Sequence, residues 1–234
     1  DLIFAFLTQF LLTNQVATGL ALTLFGLGFS AFVGRPYTEE TIQLITSSHI
    51  PLLSDIPLVG PLLFSYNPLV YLAFFMVYLV WWFLFKTKQG LILRAIGDNH
   101  DAAHAIGHNV IRYRVLAILF GGAMAGIGGA FLSLVQVPIW GGDMTAGRGW
   151  IALGLVVFSS WQPFRVILGG ILFGGITILQ LHAQGFDIRI SAQYLSMLPY
   201  LATIAILVSL RIGDKSKTNR TMPNCLGRIF HSTS

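Results

Sequence analysis

The sequence predicts an all-α protein, a polytopic transmembrane helical bundle with about six spans in 234 residues. Hydrophobic residues make up 55% of it and charged residues only 10%, against roughly 25% charged in soluble domains. Apolar runs approaching the roughly 20 residues that cross a hydrocarbon core recur along the chain. Lys and Arg gather in two stretches, as they do in loops held on the cytoplasmic side of a membrane. A chain of this length holds one such bundle, so residues 1–211 read as a single transmembrane domain and 212–234 as a polar, basic, disordered tail.

Taken in order, residues 2–12, LIFAFLTQFLL, are too few to span and fit the stub of a truncated helix or a re-entrant piece. The chain opens on Asp1 with no basic segment ahead of its first apolar run, so it shows no signal peptide and reads as truncated at the amino end. Spans follow at 15–33, 68–85 and 115–135. The run 148–160, RGWIALGLVVFSS, is short and leads into Trp161, Gln162 and Pro163, which fits a half-helix or a tilted span. The last spans are 166–182 and 196–210.

The charges test this count. The connection 86–114 carries Lys86, Lys88, Arg94, Arg112 and Arg114, and the chain from 211 carries Arg211, Lys215, Lys217, Arg220 and Arg228. If both are cytoplasmic, the crossings between 115 and 210 are even in number, so 148–160 must be the fourth. The opposite side then receives 34–67, 136–147 and 183–195, with only Arg35 and Arg189 besides Arg148 at a helix end. Topology thus accounts for the net charge of +5, which gives no reason to expect nucleic acid as a partner. The surroundings expected for the spans are membrane lipid. The single Cys225 excludes an internal disulfide framework.

Small residues let membrane helices approach one another. In GGAMAGIGGA, residues 121–130, Gly122, Gly126 and Ala130 share one face and Gly121, Ala125 and Gly129 the next, while Gly170 and Gly174 make a second seam. These faces serve static packing or sliding during a transport cycle.

The stretch IGDNHDAAHAIGHNV, residues 96–110, sets His100, His104 and His108 at intervals of four. It approaches the H-E-x-x-H helix of zinc proteases, with Gly107 near the turn of the extended form. Asp101, however, is one methylene shorter than the required Glu and misplaces a general base, and the third His follows the glycine too soon. The expectation is therefore no metal site. The same letters also describe a short exposed helix capped by Asn99 or Asp98, with Asp101 complementing the dipole and Gly107 as a stop. Two turns are marginal alone, so a partner must pack on it. Ala102, Ala103 and Ile106 offer it a low-profile face; the alternative is a helix resting on the membrane surface.

Two long ordered stretches carry a resemblance: GLILRAIGDNHDAAHAIGHNVIRYRVLAILFGGAMAGIGGAFLSL at 90–134 and MTAGRGWIALGLVVFSSWQPFRVILGGILFG at 144–174. Together with NQVATGLALTLFGLG at 14–28 and SDIPLVGPLLFSYNPLVYLAF at 54–74, they make the chain resemble permease subunits of bacterial ABC importers. The group is the branched-chain-amino-acid and ribose-type permeases, in the branch serving nucleosides and simple sugars, whose binding proteins are lipoproteins. The match covers nearly all of 9–211. It implies a multi-pass protein of the bacterial plasma (inner) membrane, with further helices ahead of residue 1. It also implies that the 86–114 loop holds the coupling helix that docks into a cytoplasmic ATPase, through Arg94, Ala95, Gly97, Asp98, Asn99, Ala102, Ala103 and Gly107. His100, His104 and His108 depart from the family pattern and read as incidental. The implied partners are an ABC ATPase subunit, a second homologous permease subunit in a heterodimer, and an extracytoplasmic substrate-binding lipoprotein.

The residues support this division of labour. There is no G-x-x-x-x-G-K-[ST] loop to cradle phosphates, and the spans hold no ionisable group apart from Arg148 and His182 at helix ends, where a proton-driven transporter would bury some. The chain is thus expected to be a transport subunit and not an enzyme. It should need no cofactor of its own, with ATP and Mg bound by the ATPase. A secondary transporter or channel is the alternative, a membrane metalloprotease a distant third. For a polar cargo the candidate path residues are Asn14, Gln15, Thr18, Trp140, Asp143, Thr145 and Arg148. Interface anchoring of Trp140 and Trp150, capping by Asp143 and Thr145, and snorkelling of Arg148 are the competing readings.

Overall fold

The computed structural model describes residues 1–38, 43–45, 64–137, 139–142, 144–145, 147–185, 197, 200–201, 204–205, 208 and 222–230. Eight α-helices are bounded in it: α1 (Leu2–Gln9), α2 (Gln15–Gly34), α3 (Pro68–Lys86), α4 (Lys88–Asp98), α5 (His100–Ala105), α6 (Val110–Phe131), α7 (Arg148–Phe158) and α8 (Pro163–Gly185). Among the described residues no strand is formed, as the all-α expectation requires. The chain divides into two compact units. One comprises Asp1–Ala73, Leu91–Ala146 and Asn224–Ser234, the other Phe74–Gly90 and Gly147–Pro223.

In the first unit, α1 packs against α6 and α2. The apolar start is thus a short helix that ends in a turn with Leu12 left-handed at φ 52°. Asn14 then caps α2, its side chain accepting from the amides of Val16 and Ala17 at 3.0 and 3.1 Å. A 3-10 turn, Arg35–Tyr37, extends α2. Asn109 caps α6 by accepting from Arg112 N, and α6 runs on into a π-turn at Leu132–Gln136.

Among the described residues, three stretches are long and apolar enough to cross a membrane: Gln15–Tyr37, Pro68–Lys86 and Val110–Gln136, with mean hydropathies of 1.9, 2.0 and 2.1. Their large side chains point outward. Leu24 is 71% and Phe32 80% exposed, which suits lipid or neighbouring helices as the surrounding medium.

In the second unit, Thr87 joins α3 to α4, donating to Phe83 O at 2.6 Å and accepting from Gly90 N at 3.0 Å. Trp81 of α3 stacks at a tilt on Phe164 of α8, ring centroids 5.2 Å apart. Helix α7 starts after Gly147, whose φ of 76° is easy only for glycine. It ends where Ser160 and Trp161 turn left-handed. At 1.5 Å per residue its 11 residues reach about 16 Å, half a hydrocarbon core. Of the two forms foreseen for 148–160, the half-helix is the one found. Helix α8 starts at Pro163, where a missing amide costs nothing, and its 23 residues reach about 34 Å. The expected span at 196–210 lies mostly outside the described residues.

Of the expected glycine seams, Gly122 makes a close approach, against the Asp1 side chain, whereas a Cβ on Gly121, Gly126, Gly129, Gly170 or Gly174 would meet none of the described atoms within 4 Å. Beside the second seam the close contact is at Gly169, where a Cβ would come within 2.9 Å of the Phe158 ring.

Candidate functional site

Within the first unit, α4, α5 and α6 fold back on one another around a small core of Ile96, Ala103, Val110 and Phe230. Helix α5 has only six residues and is held by its ends. The Asn99 side chain accepts from Asp101 N at 3.1 Å and Ala102 N at 3.0 Å, so Asn99, not Asp98, is the cap. At the other end Gly107 sits at φ 91°. Its amide reaches His104 O at 2.8 Å, and the amide of His108 reaches Ala103 O at 3.1 Å. That pair of bonds is the Schellman closure, and it requires a left-handed residue.

The face that α5 presents differs from the expected one. Ala103 is 2% exposed and belongs to the internal core, because the fold-back turns it toward Ile96 and Val110. The outward face is Asp101, Ala102, Ala105 and Ile106, the last 73% exposed. Arg94, Ala95, Asp98, Asn99 and Gly107 are also exposed, and Gly97 is half-buried.

Two of the three histidines, His100 and His104, make defined contacts here. His100 is 7% exposed. Its Nδ1 lies 3.1 Å from Arg114 Nη2 and its Nε2 3.6 Å from Asp101 Oδ1. A guanidinium can only donate, so Nδ1 must accept, and the ring carries its proton on Nε2, facing Asp101. Burial first, then Arg114, lower the pKa of His100; Asp101 opposes them and Arg228 adds a smaller lowering. The ring of Phe230 meets those of His100 and His104 edge-on, each at 5.3 Å. Among the described residues no three His, Cys, Asp or Glu gather with metal-ligand spacing.

The carboxyl-terminal segment also reaches this site. Residues 224–230 pack on this core, with Phe230 5% exposed; residues 209–221 lie outside the described part. Cys225 donates its amide to Gly97 O at 2.8 Å and its thiol to Asp98 O at 3.4 Å. Arg114 Nη1 donates to Arg228 O at 3.0 Å. The available signal was the apolar pair Ile229–Phe230 in an otherwise polar tail.

Among the proposed path residues of the first unit, Asn14, Gln15 and Thr18 lie at one end of α2 and Trp140 at the other. Asn14 and Gln15 begin α2, and Thr18 Oγ1 shares a hydrogen bond of 2.9 Å with Thr13 Oγ1, so this end of α2 is occupied with closing its own turn. Trp140 lies about 30 Å of helix away, its indole against Gly34, where any Cβ would collide with it. There it walls a cavity of about 450 Å³ that Phe29, Ser30, Tyr37 and Ser133 also line. Aromatic rings and three hydroxyls, those of Ser30, Tyr37 and Ser133, are a lining suited to a polar ring, and sequence reasoning found only Trp140 among them. Thr145 is exposed at a turn, Arg148 begins α7 in the second unit, and Asp143 lies outside the described residues.

A family model described as "Branched-chain amino acid transport system / permease component" matches residues 2–207. The chain is 37% identical to a putative glucose ABC transporter permease protein, TsgC13, of Haloferax volcanii, over 87% of this chain and 68% of the relative. It is 32% identical to the nucleoside ABC transporter permease protein NupC of Lactococcus lactis, over 83% and 63%. It is 29% identical to the guanosine ABC transporter permease protein NupQ of Bacillus subtilis, over 88% and 67%. The chain thus spans about two thirds of the length of these relatives. No solved structure matches it.

Proposed function

The chain belongs to the branched-chain amino acid transport system / permease component family, a multi-pass membrane permease component, and from that premise we propose how it works. It forms part of the translocation path of an ATP-driven importer for a nucleoside or simple sugar. Its partners are a cytoplasmic ABC ATPase that binds ATP and Mg, a second homologous permease subunit, and an extracytoplasmic binding lipoprotein. The 86–114 loop and the tail face the cytoplasm of a plasma-membrane system. The relatives' glucose, nucleoside and guanosine permease names support this cargo class.

The observation that carries the mechanism is the state of α5, a two-ended, capped helix anchored from behind by Ala103 with a free outer face of Asp101, Ala102, Ala105 and Ile106. Such a helix transmits displacement instead of absorbing it. Closure of the ATPase on ATP pushes this face, and the fold-back around Ile96 and Val110 passes the motion to the start of α6. The half-helix α7 completes its crossing with adjoining irregular chain, which membranes tolerate where it is buried in protein or lines a water-filled path. That restores the parity that the basic loops demand.

For cargo, the cavity beside Trp140 replaces the amino end of α2 as the expected contact. The test is uptake of radiolabelled guanosine and glucose into proteoliposomes holding the whole assembly. Trp140→Ala should lower uptake at least tenfold while the ATPase still co-purifies. Failure of any ATPase to co-purify with the wild-type chain in mild detergent would end the importer reading.

A further inference from the structure

We propose that residues 224–230 are an intramolecular clasp that seats the coupling helix α5, so that force from the ATPase reaches α6 only while this carboxyl-terminal segment is docked. The contacts fall on every element of the coupling region. At the end of α4, the last carbonyls have no partner within their own helix, and Cys225 supplies an N–H to Gly97 and an S–H to Asp98. On α5, Phe230 fits against the rings of His100 and His104. On α6, the Arg114 guanidinium holds both Arg228 O and His100 Nδ1, one side chain tying three elements. The local fold of the segment makes this reach possible. A turn at 225–228, closed by Arg228 N on Cys225 O at 3.1 Å with Gly227 at φ 76°, returns the chain so that Phe230 points inward.

The physical need is plain. A six-residue helix cannot sustain itself, and the core behind it consists of Ile96, Ala103, Val110 and Phe230. Phe230 is the only ring among those four, and a ring of that size dominates a core this small. Without it, the fully buried part of the core shrinks to Ile96, Val110 and the methyl of Ala103, backed by the partly buried Ile92, Ile111 and Tyr113. The helix would still form its caps at Asn99 and Gly107, but it would pivot under load. This clasp also gives two of the three departures from the family pattern one common use: His100 and His104 are the walls of the Phe230 seat.

The inference rests on α5 being the coupling helix, and the experiment separates the two. In proteoliposomes holding the whole assembly, Phe230→Ala is compared with wild type by the maleimide labelling rate of Cys225, the sole cysteine of this chain. The number of guanosine or glucose molecules taken up per ATP hydrolysed is measured alongside it, using whichever sugar or nucleoside the wild type accumulates. The expected result is labelling at least fivefold faster, with uptake per ATP at least fivefold lower while hydrolysis continues; Phe230→Leu should restore most of both. Unchanged labelling, or faster labelling with unchanged uptake per ATP, overturns the clasp. If Phe230→Ala does not accumulate in the membrane, Arg114→Gln is read in the same two ways. Should Ala102→Glu uncouple transport while Phe230→Ala does not, only the clasp falls; should neither do so, the coupling reading falls with it.

Discussion

Replacing Ala102 and Ala103 in turn by Glu separates a surface meant for a partner from a core. Ala103 is 2% exposed, against Ile96 at 2% and Val110 at 1%. A carboxylate there has no cation inside the core to meet it, and an unpaired buried charge costs several kcal/mol even after relaxation. Even a merely larger apolar residue would cost about 1–3 kcal/mol. Ala103→Glu should therefore expel α5 from its seat, seen as faster labelling of Cys225. Ala102 is exposed in the first turn. There Glu loses about 0.4 kcal/mol of helix propensity and regains about 0.3–1 kcal/mol at the positive end of the helix. Its effect on the isolated chain is near zero. In the docked assembly the same carboxylate would be desolvated against the ATPase, and a cost of only about 2.8 kcal/mol is already a hundredfold in affinity. Reconstituted Ala102→Glu should label like wild type, yet lose at least tenfold in uptake per ATP hydrolysed. Normal coupled uptake by Ala102→Glu, or wild-type labelling by Ala103→Glu, would refute the assignment of the two faces.

Asn99→Ala removes the acceptor for two amides and should cost about 1 kcal/mol, read as roughly fivefold faster hydrogen exchange at Asp101 and Ala102. Gly169→Leu forces a side chain into the Phe158 and Leu155 contact and should cost about 1–3 kcal/mol, lowering the thermal midpoint of the purified chain with little change in Cys225 labelling. Acid should loosen the tail. His100 has a pKa below its ordinary 6.5 when docked, so the undocked form takes up a proton first. Docking is then fully stable above about pH 6.5 and weakens as pH falls through the lowered value, where a second N–H would face Arg114. The facing groups are Arg114 and Arg228, which disfavour the proton, and Asp101, which favours it. Cys225 labelling, normalised to the unfolded chain at each pH, should rise on acidification, and His100→Gln should flatten that rise. A rise unaltered by His100→Gln would locate the titration elsewhere.

Much of the architecture was legible because its signals are local. Apolar runs found α2, α3, α6 and α8, since a helix that crosses lipid must be apolar on every side. Asn99 and Gly107 announced both ends of α5, because a cap is a property of the few residues around it. The Trp161–Pro163 stretch likewise bounded α7 at its end, although charge parity alone could not tell a half-helix from a tilted span. The path residues were less legible. Asn14 and Thr18 are polar among apolar neighbours, which sequence alone cannot distinguish from a cap and a turn; Asn14 caps α2 and Thr18 bonds Thr13.

Taken alone, the sequence determined the all-α class of the molecule and its membrane setting, because composition and periodicity act within one turn or one span, while its ordered motifs carried the resemblance to the family. Tertiary structure decided which side of α5 is free and what holds the other side. Ala102 and Ala103 are adjacent and chemically identical, and only the fold-back of α4 and α6 makes one of them surface and the other core. The use of His100 and His104 was equally out of reach. Phe230, which sits between them, is more than a hundred residues away, and no local pattern records a contact of that separation.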